Sequence, residues 1–150
     1  MSKIRLTKEF SFEMAHVLEG YDGACSQLHG HSYRLFVTVI GTPNDDPTDP
    51  KYGMVMDFGL LKKIVNGAIV DRYDHALVIR ATAANRDFVE ALRSRFIRLE
   101  VVDYQPTCEN MIARFAALLQ PLLPDRVRLH SLRLHETATS FAEWFAEDNL

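Results

Sequence analysis

The sequence predicts an α+β protein in which an antiparallel sheet carries helices on one face. Three observations lead there. Residues 4 to 14 alternate apolar and polar side chains. Residues 32 to 41 are rich in β-branched and aromatic types. Two later segments, beginning near Asp57 and Thr107, place apolar residues at helical spacing.

Taken in order, Ile4, Leu6, Phe10, Phe12 and Met14 share the even positions of a first strand, and Lys8 interrupts the series. A glycine-flanked loop, EGYDGACSQ, follows. SYRLFVTVIG is a second strand ending at Gly41, and TPNDDPTDPKYG has the Pro, Asp and Gly density of a loop. Asp57 is placed as the N-cap of a helix of about four turns, with Leu60, Leu61, Ile64, Val65 and Ile69 on its apolar side. Residues 85 to 97 read as a shorter helix and RLEVVDY as a short strand stopped by Pro106. Pro106 or Thr107 opens a helix with Met111, Ile112, Phe115, Leu118 and Leu119 on one side. RVRLHSLRLHET alternates, but Val127, Leu129, Ser131 and Arg133 oppose Arg128, His130, Leu132 and Leu134, so either face could be core. ATSFAEWFAED closes the chain as a strand with Phe141 and Phe145 opposite Trp144, and these aromatic residues are expected in the core.

A chain of 150 residues, 47% hydrophobic and 25% charged, has the size and composition of one folded domain, residues 1–150. A net charge of -3 leaves no basic field for nucleic acid, and no run approaches the length of a membrane span. Two cysteines, Cys25 and Cys108, do not make a disulfide scaffold, and no apolar leader opens the sequence; a reduced, cytoplasmic protein is expected.

The chemistry concentrates in His16, Cys25, His29 and His31. In an extended segment His29 and His31 point to the same side, so both can reach one ion at ~2.0–2.1 Å. A hairpin-like pairing of the first two strands brings His16 beside them. Three neutral imidazoles with an open fourth position describe a catalytic zinc site. Cys25, four residues before His29, could close that position as a fourth ligand. It could instead stand over the open site as a base, its thiolate favoured by the nearby cation.

FSFEMAH followed by CSQLHGHSY resembles the signature of the 6-pyruvoyl-tetrahydropterin synthase family. Four further segments match in order: MVMDFGLLKKIV, DRYDHALV, QPTCENMIARF and RLHETATSFAEW, so that the resemblance spans residues 10 to 144. The Cys-x-x-x-His-Gly-His spacing is similar to the bacterial 6-carboxytetrahydropterin synthase branch of queuosine biosynthesis, whereas biopterin-type members carry a longer gap. The resemblance implies a T-fold with a four-stranded antiparallel sheet. It implies Zn2+ on His16, His29 and His31, with Cys25, Asp74 and His75 catalytic. Glu136 would anchor the pterin ring, and Thr107, Cys108 and Glu109 would line its pocket. Cys108 departs from the Ser, Thr or Ala more usual there. The implied substrate is 7,8-dihydroneopterin triphosphate. The implied assembly is a homo-oligomer, commonly a hexamer, in which Asp74 and His75 join the Cys25 site of a neighbouring subunit. No nucleic-acid or membrane partner is implied.

Away from the resemblance, simpler readings stand beside these. Asp74 and His75 fit a helix C-terminus, Glu109 a dipole-friendly first turn, and Glu136 a surface ion pair with Arg133 or Arg128. Arg34, Lys62, Lys63 and Arg72 are candidates for the triphosphate, or ordinary solvated charge. His130 and His135 have no assigned role. A biopterin-type synthase and a non-catalytic zinc module with a purine-like pocket are the rival functions; the latter requires a closed metal site.

Overall fold

A computed structural model describes residues 1–150. Strands β1 (Ile4–His16) and β2 (His29–Gly41) form a long antiparallel hairpin. Helix α1 (Phe58–Val65) runs through a π-helical turn (Asn66–Val70) into the short α2 (Asp71–Tyr73). Then come β3 (Ala76–Arg80), α3 (Arg86–Arg95), β4 (Leu99–Val102), α4 (Cys108–Leu119), β5 (Val127–His135) and β6 (Phe141–Phe145). Asp57 caps α1, its carboxylate accepting from Gly59 N at 2.7 Å, as the sequence predicts. Thr107 caps α4 in the same way, accepting from Asn110 N. No helix is long and apolar enough to cross a membrane.

The fold class is the α+β T-fold expected, but the sheet has six strands rather than four, in the order β4-β3-β1-β2-β5-β6. The expected antiparallel unit is intact as β1-β2-β5-β6. The two additional strands attach in parallel: β3 pairs with only Met14, Ala15 and His16 of β1, and β4 pairs with β3. The sequence reading leaves β3 unassigned because ALVIR is a continuous apolar run without alternation. Such a run belongs to a strand covered on both faces. Val78 faces the main core, while Ile79 packs with Val17, Val89 and Leu92 on the opposite side. Helix α3 thus covers the back of β3, whereas α1 and α4 share the main face.

That main face holds the core. Phe12 stacks on Tyr33 with centroids 5.2 Å apart, and Phe115 of α4 meets Phe12 and Tyr73 edge-on. Burying each such side chain contributes about 1.5–3 kcal/mol. Lys8, the break in the β1 pattern, is half-buried, with its ammonium over the Phe10 ring. Trp144 joins the core side of β6 opposite Phe141, as expected, but Phe58, Phe88, Phe96 and Phe141 are exposed.

The ambiguity of β5 has a physical cause. Thr38 pairs with Ser131 and Val39 with Leu129, so His130 is an extra residue in the ladder. This β-bulge shifts the phase by one. Val127 and Leu129 before it, and Leu132 and Leu134 after it, therefore all reach the core.

Candidate functional site

The β1–β2 register sets His16 directly opposite His29, and Met14 opposite His31. His16 is the last even residue of the buried face of β1. His29 and His31 open the same face of β2, which continues through buried Tyr33 and Leu35. Ring centroids lie 4.5 Å apart for His16 and His29, 5.1 Å for His16 and His31, and 4.8 Å for His29 and His31. One ring nitrogen from each histidine lies within 4.8 Å of the others, and this convergent donor set consists of the three imidazoles, without Cys25.

Hydrogen bonds fix the tautomers of two of them. His16 Nδ1 donates to the Pro106 carbonyl at 2.8 Å, and His29 Nδ1 donates to the Gln27 carbonyl at 2.7 Å. A carbonyl only accepts, so the proton of each neutral ring sits on Nδ1 and the Nε2 lone pairs face inward. Those two Nε2 atoms stand 3.0 Å apart. Without a cation between them the lone pairs repel. Burial foremost lowers the pKa of His16 and of His31, which disfavours protonating either of those two rings. A metal with ~2.0–2.1 Å bonds holds neighbouring nitrogens about 3.3 Å apart in tetrahedral geometry. His31 Nε2 is buried with no hydrogen-bond partner, and the Glu136 carboxylate lies 3.8 Å away. The donor set therefore fits a metal ion.

Around this cluster lie the other predicted groups. Cys25 is half-buried in a 3-10 turn (Ala24–Ser26) of the β1–β2 loop, and its carbonyl accepts from Leu18 N. The Tyr33 hydroxyl, 3.5 Å from His16 Nδ1, has its pKa pushed upward, first by burial and then by the charges of Glu136, Cys108 and Cys25. Cys108 is buried, donates its thiol to the Leu134 carbonyl at 3.2 Å, and has its pKa pushed up to about 11 by burial. That bond ties the start of α4 to the end of β5, one residue before His135 and two before Glu136. Thr107 is occupied in capping α4, and Glu109 is exposed in its first turn.

Asp74 and His75 lie elsewhere in the chain. His75 is exposed and left-handed, with φ 62. With Glu13, Gly30, His31 and Ser32 it lines a shallow depression of about 330 Å³ whose wall includes one of the clustered histidines but not Cys25. Asp74 Oδ1 is 3.8 Å from His75 Nε2 but accepts from Glu13 N at 2.8 Å, so its carboxylate is engaged mainly with β1. Of the triphosphate candidates, Arg34 is paired with Glu9 and Arg72 with Glu100, leaving exposed Lys62 and Lys63 unpaired. Glu136 is not in the surface ion pair considered for it; Arg133 pairs with Glu143.

A family model described as 6-pyruvoyl tetrahydropterin synthase matches residues 5–147. The chain belongs to the 6-pyruvoyl tetrahydropterin synthase family. It is 39% identical over 142 residues to a protein of Haemophilus influenzae named 6-carboxy-5,6,7,8-tetrahydropterin synthase, covering 93% of this chain and 97% of that one. A Synechocystis protein of the same name is 35% identical over 140 residues, covering 93% and 91%. Among solved structures, the Caenorhabditis elegans 6-pyruvoyl tetrahydropterin synthase superposes with a TM-score of 0.69 over 97% of each chain at 23% identity, a likeness of fold. The chain is thus an enzyme of lyase type within this family, with a candidate metal site on three histidines.

Within this pterin-synthase fold, sequence reasoning misses Tyr33, which packs edge-on to His16 and His31 at 6.3 and 5.6 Å. Its signal was present: Tyr33 continues the i, i+2 series of His29 and His31. The carbonyls of Pro106 and Gln27 carry no side-chain signal at all. Gln105 is a third omission; its amide donates to the Glu19 carbonyl and tethers the loop that bears Cys25.

Proposed function

We propose that this chain is a zinc-dependent 6-carboxytetrahydropterin synthase. It would convert 7,8-dihydroneopterin triphosphate and water to 6-carboxy-5,6,7,8-tetrahydropterin, triphosphate and acetaldehyde, on the route to 7-deazapurines such as queuosine. The observation that carries this reading is the convergence of three imidazoles, two of them locked with their lone pairs inward. The names of the relatives supply the substrate class.

The roles follow the family resemblance. His16, His29 and His31 would hold zinc, which supplies Lewis acidity toward the oxygens of the substrate side chain. Cys25 removes the proton from the adjacent carbon as thiolate; its place outside the convergent donor set supports a base rather than a fourth ligand. His75 moves a proton at the other face of the substrate. Glu136 accepts two N–H bonds from the amino-pyrimidinone edge, and its carboxylate already borders the histidines. Thr107, Cys108 and Glu109 line the ring pocket.

The active form we propose is a cytoplasmic homo-oligomer, a hexamer, of one pterin-synthase domain over residues 1–150. The depression that His75 lines has no Cys25 in its wall, which supports sites completed between subunits. So does the edge of β1, where residues 4 to 12 have no β3 partner and are free to receive another strand. Incubating the purified protein with 7,8-dihydroneopterin triphosphate and identifying products by mass tests the proposal. A carboxyl group at ring carbon six supports it. A pyruvoyl group assigns the biopterin-type reaction instead, and a metal-bound protein without turnover assigns a binding module.

A further inference from the structure

We infer that Arg98 is a positioning residue for His75; this rests on the catalytic role proposed for that histidine. Arg98 sits in the turn between α3 and β4, outside every segment that carries the family resemblance. Its side chain is exposed, yet it makes no ion pair. It reaches across to main-chain oxygens: Nε donates to the Asp74 carbonyl at 2.9 Å and Nη2 to the Asp71 carbonyl at 2.5 Å. Its own carbonyl accepts from Leu77 N at 2.9 Å. One residue therefore grips the chain on both sides of His75.

His75 needs such a grip. A left-handed backbone is disfavoured at a non-glycine residue, and it persists only where the surroundings over-determine it. On the β1 side, His75 N donates to the Glu13 carbonyl while Glu13 N donates to Asp74 Oδ1. This reciprocal pair pins the turn to a strand that ends three residues later in His16. Arg98 supplies the opposing half of the clasp. The planar guanidinium matches the task, since two of its donors diverge to carbonyls three residues apart, whereas a lysine ammonium is a single point. Asp71, Asp74, His75 and Arg98 together border one depression of about 430 Å³, so the guanidinium and the imidazole share a surface. Freed of Arg98, the turn can relax to negative φ and carry the imidazole away from its working direction.

The test uses Arg98→Ala and Arg98→Lys in the full, metal-loaded assembly, with two readouts. Amide hydrogen exchange across residues 71 to 77 is expected to accelerate in Arg98→Ala. With 7,8-dihydroneopterin triphosphate, kcat is expected to fall roughly tenfold or more, in line with the cost of misplacing a reacting group. KM, zinc content and oligomer mass are expected to stay near wild type, and Arg98→Lys is expected to recover part of kcat. Unchanged exchange overturns the inference, as does wild-type kcat in Arg98→Ala, or a loss of zinc that explains the loss of rate. If the wild-type enzyme turns nothing over while exchange in Arg98→Ala accelerates, the pterin reading fails and the grip of Arg98 on the His75 turn stands.

Discussion

Stripping the metal and returning it should move the melting temperature by an amount the site geometry sets. In chelator-treated protein, His31 Nε2 is a buried nitrogen without a partner, and the inward lone pairs of His16 and His29 face each other at 3.0 Å. An unsatisfied buried group of this kind costs ~1–3 kcal/mol. Zinc at 100 times its dissociation constant stabilises the folded state by ~2.7 kcal/mol. For a chain of 150 residues, each kcal/mol shifts the midpoint by ~2–4 °C. The expected rise is therefore roughly 5 to 11 °C, read by differential scanning fluorimetry with metal content measured in parallel. His31→Ala should abolish the rise. The chelated variant should melt within about 1 kcal/mol of the chelated parent, because the orphaned nitrogen leaves with the ring. No zinc-dependent rise in the parent, or an equal rise in His31→Ala, would refute the reasoning.

Other consequences can be checked alongside. Cys25→Ala should keep full zinc content and lose turnover; loss of zinc would make Cys25 a ligand. At pH 8.5 iodoacetamide should label Cys25 quickly and Cys108 slowly. Burial holds the Cys108 pKa near 11, so it stays a neutral thiol until pH rises well above its ordinary value, and peptide mapping distinguishes the two. Deleting His130 should make the β2–β5 ladder regular, because Leu129 then adjoins Ser131 as Val39 adjoins Thr38; Val127 and Leu129 should keep facing the core, and the urea midpoint should survive with only a modest shift. His130→Ala, which keeps the residue count, should shift the urea midpoint only slightly.

What could be read from the sequence was whatever a periodicity or a side chain announces. The even-numbered face of β1, the β2 run and the Asp57 and Thr107 caps each follow a local rule, and the structure reproduces them. The three histidines were legible because an antiparallel pair places the end of one strand beside the start of the next. Illegible features share a different trait: their cause lies in another part of the chain. Strand β3 exists because β1, β4 and α3 cover it, not because ALVIR alternates. The β5 bulge is a property of the pair Thr38 and Ser131. Arg98 acts through main-chain oxygens whose positions no residue identity encodes.

The same trait bears on how the candidate metal site can change over time. The proton that keeps His16 facing inward is held by the peptide oxygen of Pro106, and that of His29 by the peptide oxygen of Gln27. No substitution deletes a peptide oxygen. A scan of point mutants at these two positions would register little, even though both atoms set the ligand geometry. The centre is vulnerable instead to insertions and deletions that move those peptide groups. The lengths of the two segments, more than their composition, are what drift cannot alter without losing the site.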